Sequence, residues 1–423
     1  MNPNYGTKQI FRAGALVVVS CLLGVSGCAH HRSGCADKAA LAPKIPATIL
    51  MDGRMLAESK QRIKAGDAAL QPAFTNLLKD AEKAMREGPF SVMNKTKLPP
   101  SGDKHDYVSY ARYWWPDPSK PNGMPFIQRD GETYPEGQSP AASDRSQLDK
   151  MVAGVETLGM AYYLTGEERY AERAALLIRT WFLTPETRMN PNLKFSQGIP
   201  GKSDSTKAGI IDGRVFCRAL EGAILISDSP ALSPAEHAAF RVWVSQYLNW
   251  LKTDPLPQSE AESKNNHGTF FDAQIMYFAL FAGDTAFAKQ IAEEVVNKRI
   301  LAQIEPDGTQ PKELGRTRTF HYCAFNLQAL FMLAHMAEPL GVDLWHVGDS
   351  RIKVALNFMT PYVDPARPWP YADMDGAQRI EILPLLLQAP AVYKDDSYKQ
   401  MLEKIPLAER AGKRENLAVP LMR

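Results

Sequence analysis

The chain predicts an all-α fold, an (α/α) toroid in the form of an incomplete barrel of six or seven helical hairpins, with long aromatic loops over a central cleft. Three observations lead there. Beyond residue 146, apolar residues recur almost throughout at helical spacing, and no run of sheet length alternates with period 2 and β-branched enrichment. The helical segments come in pairs. Long loops fall at alternate connections, which would gather them on one rim around a deep site. An open solenoid is the alternative architecture, and helix count does not separate six hairpins from seven.

The first segment has its own signature. Lys8 and Arg12 precede an apolar run over 13–25 that ends in small residues, the pattern of a secretory signal. Val25-Ser26-Gly27-Cys28 resembles a bacterial lipobox, which implies lipidation of Cys28. The expected organisation is a signal peptide over 1–27, a polar tether over 28–50 and one domain over 51–423. The expected location is the bacterial cell envelope, periplasmic or outer-membrane facing, with the membrane touched only through the lipid. No later apolar run reaches 18 residues.

Along the body, 51–86 is helical with a break at Gly66-Asp67. Residues 88–144 are irregular, rich in proline and in Tyr107, Tyr110, Tyr113, Trp114, Trp115, Phe126 and Tyr134. Such aromatic density argues against disorder and for an ordered wall or lid. The pairs then follow: 148–164 with 167–182 across Thr165-Gly166; 214–227 with 234–251, the latter capped by Ser233; 267–281 with 284–304 across Ala282-Gly283; 322–340 with 350–359; and 380–387 with 397–407. A Pro/Asn-rich loop over 184–212 separates the first two.

Bulk numbers exclude more than they select. The 423 residues are 45% hydrophobic and 23% charged, an ordinary globular composition, and a net charge of +2 without a long basic run gives no case for nucleic acid. Cys217 and Cys323, the two cysteines of the body, read as buried free thiols rather than a disulfide. Without Cys-x-x-Cys or His-x-x-x-His, neither a metal nor a cofactor is expected.

Two polar knots carry the chemistry. Asn265-Asn266-His267-Gly268 stands before the apolar run 270–281, and 310–322, with Arg316, Arg318, His321 and Tyr322, stands before the apolar run 323–333. Each alone reads as a capped helix entrance with solvated charge. Together they suit removal of a proton beside a carboxylate. The enolate dianion needs donors and cations at that carboxylate, and a tyrosine whose pKa is lowered by nearby positive charge can transfer the proton. β-Elimination from a uronic-acid polymer is one reaction that needs this set.

The motifs 110–118 (Tyr-Ala-Arg-Tyr-Trp-Trp-Pro-Asp-Pro), Arg129-Asp130-Gly131, 265–269, 313–318 and Gly341-Val342-Asp343-Leu344-Trp345 resemble the alginate lyase superfamily of polysaccharide lyases. The resemblance runs from about residue 106 to 345 and implies an (α/α) toroid. It also implies that Asn266, His267 and Arg316 neutralise the substrate carboxylate and that Tyr322 transfers the proton. The six-residue gap from Arg316 to Tyr322 (322 − 316 = 6) is closer to the glucuronan- and alginate-active branch with a seven-hairpin toroid than to the classical periplasmic enzymes. Arg318 is a second candidate clamp and His321 a neighbouring substrate group. Tyr110, Tyr113, Trp114 and Trp115 are candidates to stack on sugar rings, and Gln274 and Asn192 to contact them. The expected partner is an anionic polysaccharide; syn elimination would make Tyr322 both base and acid, anti elimination would make His267 the base. Two other readings compete: a glycoside hydrolase using Asp272 and Glu313 as its acid pair, and a non-catalytic glycan-binding lipoprotein.

Overall fold

A computed structural model describes residues 44–419. The expected signal peptide and Cys28 lie outside the described residues. Residues 44–50, at the end of the expected tether, already belong to the folded body. Lys44 pairs with Asp228 at 2.6 Å, and the buried Glu221 carboxylate accepts the N–H groups of Ile49, Leu50 and Met51 at 2.8–3.2 Å. Among the described residues no helix is long and apolar enough to cross a membrane.

The helices in chain order are α1 (Gly53–Lys64), α2 (Gln71–Ala84), α3 (Arg145–Thr165), α4 (Glu168–Ile178), α5 (Phe216–Leu225), α6 (Pro234–Thr253), α7 (Pro255–Ala261), α8 (Asn266–Ala282) and α9 (Thr285–Val295). They continue with α10 (Leu301–Gln303), α11 (Pro311–Leu314), α12 (Thr319–Ala337), α13 (Val347–Met359), α14 (Leu383–Tyr393), α15 (Ser397–Lys404), α16 (Leu407–Arg410) and α17 (Glu415–Ala418). Short connections follow the expected turn chemistry. Gly166 and Gly283 end α3 and α8 at φ 78° and 87°, a left-handed conformation that costs glycine nothing. Ser233 caps α6 in a full capping box with Glu236, a device worth about 1 kcal/mol.

Composition sorts the helices into two rows. α8 and α12 are buried on nearly every side, as an inner helix must be, whereas α4 and α9 bury one stripe and wet the other. The inner row runs α3, α5, α8, α12, α14, each against the next; α14 then meets α17, α17 meets α2, and α2 meets α3. The toroid that paired helices predict is thus present among the described residues, and the barrel expected to be incomplete is joined end to end by α17 and α2. Closeness within the row demands small residues: a Cβ on Gly159 of α3 would lie 2.6 Å from the Gly222 carbonyl of α5. Between the rows, Phe182, Phe216, Phe240, Trp243 and Tyr247 pack edge-to-face, tilted or stacked with ring centroids 4.7–5.8 Å apart, each such pair adding about 0.5–1.5 kcal/mol beyond its buried area. Cys217 and Cys323 are free and buried.

Segment 88–144 is an ordered wall. It carries β1 (Val108–Tyr110), β2 (Trp114–Trp115) and β3 (Ile127–Gln128); β1 pairs in parallel with β4 (Phe195–Gly198), and β2 pairs antiparallel with β3. Strands of two to four residues are too short for alternation to register, so the sequence does not announce them.

Candidate active site

Both polar knots are helix entrances, and both open on one cleft of about 630 Å³. The cleft is lined by four arginines, Arg112, Arg145, Arg214 and Arg316, against two carboxylates, Asp212 and Glu381. The whole-chain charge of +2 conceals this local excess, which suits a polyanion.

The first turn of a helix leaves N–H groups unpaired. At α8 the partner is not the side chain of the preceding Asn265, which makes no cap bond, but Glu313 from 47 residues away. Its two oxygens accept the backbone N–H and the Nδ2 of Asn266, each at 2.7 Å. Burial raises the Glu313 carboxyl above its ordinary range, and the Asn266 donors oppose that. The buried Oδ1 of Asn266 keeps no partner among the described residues. Next in the chain, His267 Nδ1 lies 2.5 Å from Glu260, which also accepts the Ser263 hydroxyl at 2.9 Å. A carboxylate at Nδ1 favours the tautomer with its proton there, leaving Nε2 a lone pair for proton work.

This entrance is held from behind. α9 runs into a π-helical turn (Val296–Ile300) that carries the fully buried Arg299. Arg299 donates to Asp272 at 2.7 Å and to the Ser263 and Ala261 carbonyls at 2.7 and 2.6 Å. Gly268 is required beside it, because a Cβ would fall 2.1 Å from the Ser263 oxygen and 2.5 Å from Arg299 Nη1.

At the second entrance the Tyr322 hydroxyl accepts from Arg316 Nη2 at 2.8 Å and lies 3.2 Å from the Tyr113 hydroxyl. The Arg316 guanidinium also sits 3.8 Å above the Tyr322 ring. Asp130 grips Arg316 at 2.7 and 3.2 Å and takes the Thr317 hydroxyl at 3.1 Å, which docks the wall onto the helix entrance. Burial would raise the Asp130 carboxyl, but Arg316 and Thr317 hold it below the usual range. The expected lowering of the Tyr322 pKa is reversed. Burial first, then the Tyr113 hydroxyl, push it well above the ordinary value and outweigh Arg316, whose charge Asp130 largely cancels. The resting hydroxyl is therefore protonated.

Of the other expected residues, Tyr110, Tyr113, Trp114 and His321 line the cleft. His321 is held by Glu381 at 2.9 Å and stacks on Phe325, their ring centroids 5.6 Å apart. Four do not line it. Trp115 donates to the Glu132 carbonyl and packs on Tyr134 and Arg129, within the wall. Arg318 is committed to Asp375 at 2.9 Å and the Gly131 carbonyl at 2.8 Å, so it is not free to clamp a carboxylate. Gln274 is buried behind the 3₁₀ segment Lys207–Val215, and Asn192 is tied to the backbone N–H of Lys194 in its own loop. Asp272 and Glu313, the acids weighed for hydrolysis, are fastened to Arg299 and Asn266 and do not face each other across the cleft. Asp130, Glu260 and Arg214 were not singled out by spacing. Asp130 carried a signal all the same, as the centre of Arg129-Asp130-Gly131.

Arg214 stands on the cleft floor. Its guanidinium lies 5.6 and 5.2 Å from the ring centroids of Phe270 and Phe325, and its Nη1 donates to the Ile211 carbonyl at 3.1 Å. Burial first, then the charge of Arg145, push it down to about 9.

With this geometry in hand, known proteins supply a frame. The sequence model of the family described as alginate lyase matches residues 91–369. Among solved structures the chain is similar to an alginate lyase from Bacteroides ovatus, with 37% identity, 89% of this chain and 99% of that one covered, and a TM-score of 0.83. It is also similar in fold to alginate lyase A1-III from Sphingomonas species A1, at 16% identity, 90% and 97% coverage and a TM-score of 0.56. A variant of A1-III solved with a tetrasaccharide aligns at 15% identity over the same shares, with a TM-score of 0.56. No curated protein sequence matches.

Proposed function

The chain belongs to the alginate lyase family and is a polysaccharide lyase; from that premise we propose that it cleaves a uronic-acid polymer of the alginate or glucuronan type by β-elimination at this cleft. One observation carries the reading: the Tyr322 hydroxyl, bonded to Arg316, opens on the same arginine-rich cleft as Asn266 and His267. In the reaction the C5 proton leaves, electrons move into a C4–C5 double bond, and the C4–oxygen bond breaks with a proton delivered to the departing oxygen. In this reading Asn266 donates an amide N–H to the uronate carboxylate, His267 does so when its Nε2 carries a proton, and Arg316 steadies charge developing on Tyr322. Tyr322, protonated at rest, supplies the proton to the leaving oxygen. When proton and leaving group share a face, as in mannuronate and glucuronate, Tyr322 first gives its resting proton to solvent, with Arg316 opposing the cost of that ionised form; the phenolate then takes the C5 proton and hands it to the leaving oxygen. When they lie on opposite faces, as in guluronate, His267 backed by Glu260 takes it.

Incubation with mannuronate-rich alginate, guluronate-rich alginate and glucuronan should produce the ultraviolet absorbance of an unsaturated uronate on at least one polymer. New reducing ends without that absorbance on every polymer would point to hydrolysis and end the lyase assignment.

We propose also that Cys28 carries a lipid that holds the enzyme at the cell envelope, on the strength of Val25-Ser26-Gly27-Cys28. Metabolic labelling with a fatty-acid analogue should mark the full chain and fail to mark Cys28→Ala; equal labelling of both would rule the anchor out.

A further inference from the structure

Building on the lyase reading, we infer that Arg214 is the cation that receives the carboxylate of the uronate being cleaved. The argument begins with position. Phe270 stands one turn beyond Asn266 on α8, and Phe325 one turn beyond Tyr322 on α12; their rings approach to 4.1 Å. The Arg214 guanidinium lies against both rings and lines the cleft. It therefore sits on the floor between the two entrances that hold the proton-transfer groups.

The second point is charge. Arg145 is held by Asp149 and Asp212, Arg316 by Asp130, Arg318 by Asp375 and Arg299 by Asp272. Arg214 has no ion-pair partner among the described residues, and unlike Arg112, the exposed and also unpaired arginine of the cleft, it is half-buried; its one hydrogen bond goes to a backbone carbonyl, and its buried Nε has none. The neighbouring Asp212 offers no relief, since it accepts from Tyr107, Ser109, Gln197 and Arg145. A half-buried cation without an anion is less well solvated than one in water, and a site that keeps one gains when an anion arrives. Arg316, the arginine expected for this task, has most of its charge answered by Asp130 before any substrate binds.

The third point is that the position is built. Arg214 follows Gly213, where a Cβ would lie 2.1 Å from the Tyr247 hydroxyl, so the 3₁₀ segment is pressed against α6 and its backbone is fixed. Aromatic faces on one side and the Ile211 carbonyl on another aim the planar fork, whose geometry matches a carboxylate.

The test compares a polyuronate with the same polymer methyl-esterified at its carboxyl groups, using Arg214→Gln, Arg214→Lys and the wild type. On the free acid, Arg214→Gln should lose roughly 10²–10³-fold in kcat/KM, the range for one lost charge-stabilising donor. On the ester the loss should be at least about tenfold smaller, because the resting carboxylate charge is gone and only the single charge of the developing enolate remains to be met. Arg214→Lys should keep part of the preference for the acid. The acid-to-ester ratio is read on whichever variant melts like the wild type. An unchanged ratio in that variant, or equal losses on both polymers, overturns the assignment. A wild type that yields no unsaturated product on any polyuronate instead overturns the lyase reading beneath it.

Discussion

Replacing Tyr322 with Phe should abolish nearly all turnover while leaving the fold intact. The substitution removes one oxygen. The ring stays packed under Arg316, whose guanidinium is 3.8 Å from its centroid, so the cation–ring contact and the buried apolar area persist. What disappears is the group bonded to Arg316 at 2.8 Å and to Tyr113 at 3.2 Å, which under the proposed mechanism would deliver a proton to the leaving oxygen whichever face the C5 proton occupies. General acid–base catalysis is worth roughly 10²–10⁴-fold, and that is the expected loss in kcat on mannuronate, guluronate or glucuronate polymers alike. Continuous absorbance assays with a parallel melting curve check it. Wild-type turnover on any of these polymers would exclude Tyr322 from the mechanism.

The second large effect is on stability. Arg299→Met should cost about 3–5 kcal/mol in urea unfolding, the range for breaking a buried pair by removing one partner. It strands Asp272, a nearly buried carboxylate whose other cation, Lys298, is 3.8 Å away, and it releases the Ala261 and Ser263 carbonyls. A double variant that also replaces Asp272 with Leu should recover much of the stability, since no uncompensated charge remains. Turnover should stay low in both, because the loop that presents His267 has lost its rear support. Arg299→Met as stable as the wild type would show that the pair holds nothing in place.

Hydrophobic spacing made the helix pairs legible, and the switch from polar to apolar at residues 266 and 322 marked both entrances. Ser233 and the two helix-ending glycines follow local rules that any reader of the chain can apply. What stayed hidden depends on distance along the chain. Asp130 and Arg316 are 186 residues apart, and Glu313 and Asn266 are 47 apart, so no spacing rule joins them. Glu260 is only seven residues from His267, yet its partnership depends on the short helix α7, which has no periodicity to read. Arg214 looks like any charged residue at a helix start; its significance is the carboxylate that the fold withholds from it. The reversed Tyr322 pKa has the same origin. Proximity to an arginine was a fair inference from sequence, but the aspartate on that arginine's far side and the hydroxyl of Tyr113 come from the wall.

The ring closes through a contact that is last to become available. Asp52 N–H meets the Ala418 carbonyl at 3.2 Å, and Arg414 reaches Asp80, Glu156 and Thr157 at 2.9–3.2 Å. The first of these bonds joins residues 366 apart in sequence (418 − 52 = 366), and the Arg414 bonds span 257 to 334. During synthesis, when domains assemble from the N-terminus as the chain emerges, α1 and α2 must wait with their α17-facing side open until nearly the whole polypeptide has left the ribosome. The toroid can be templated helix by helix, but it cannot be finished early, and its first helices carry the longest interval of exposed apolar surface.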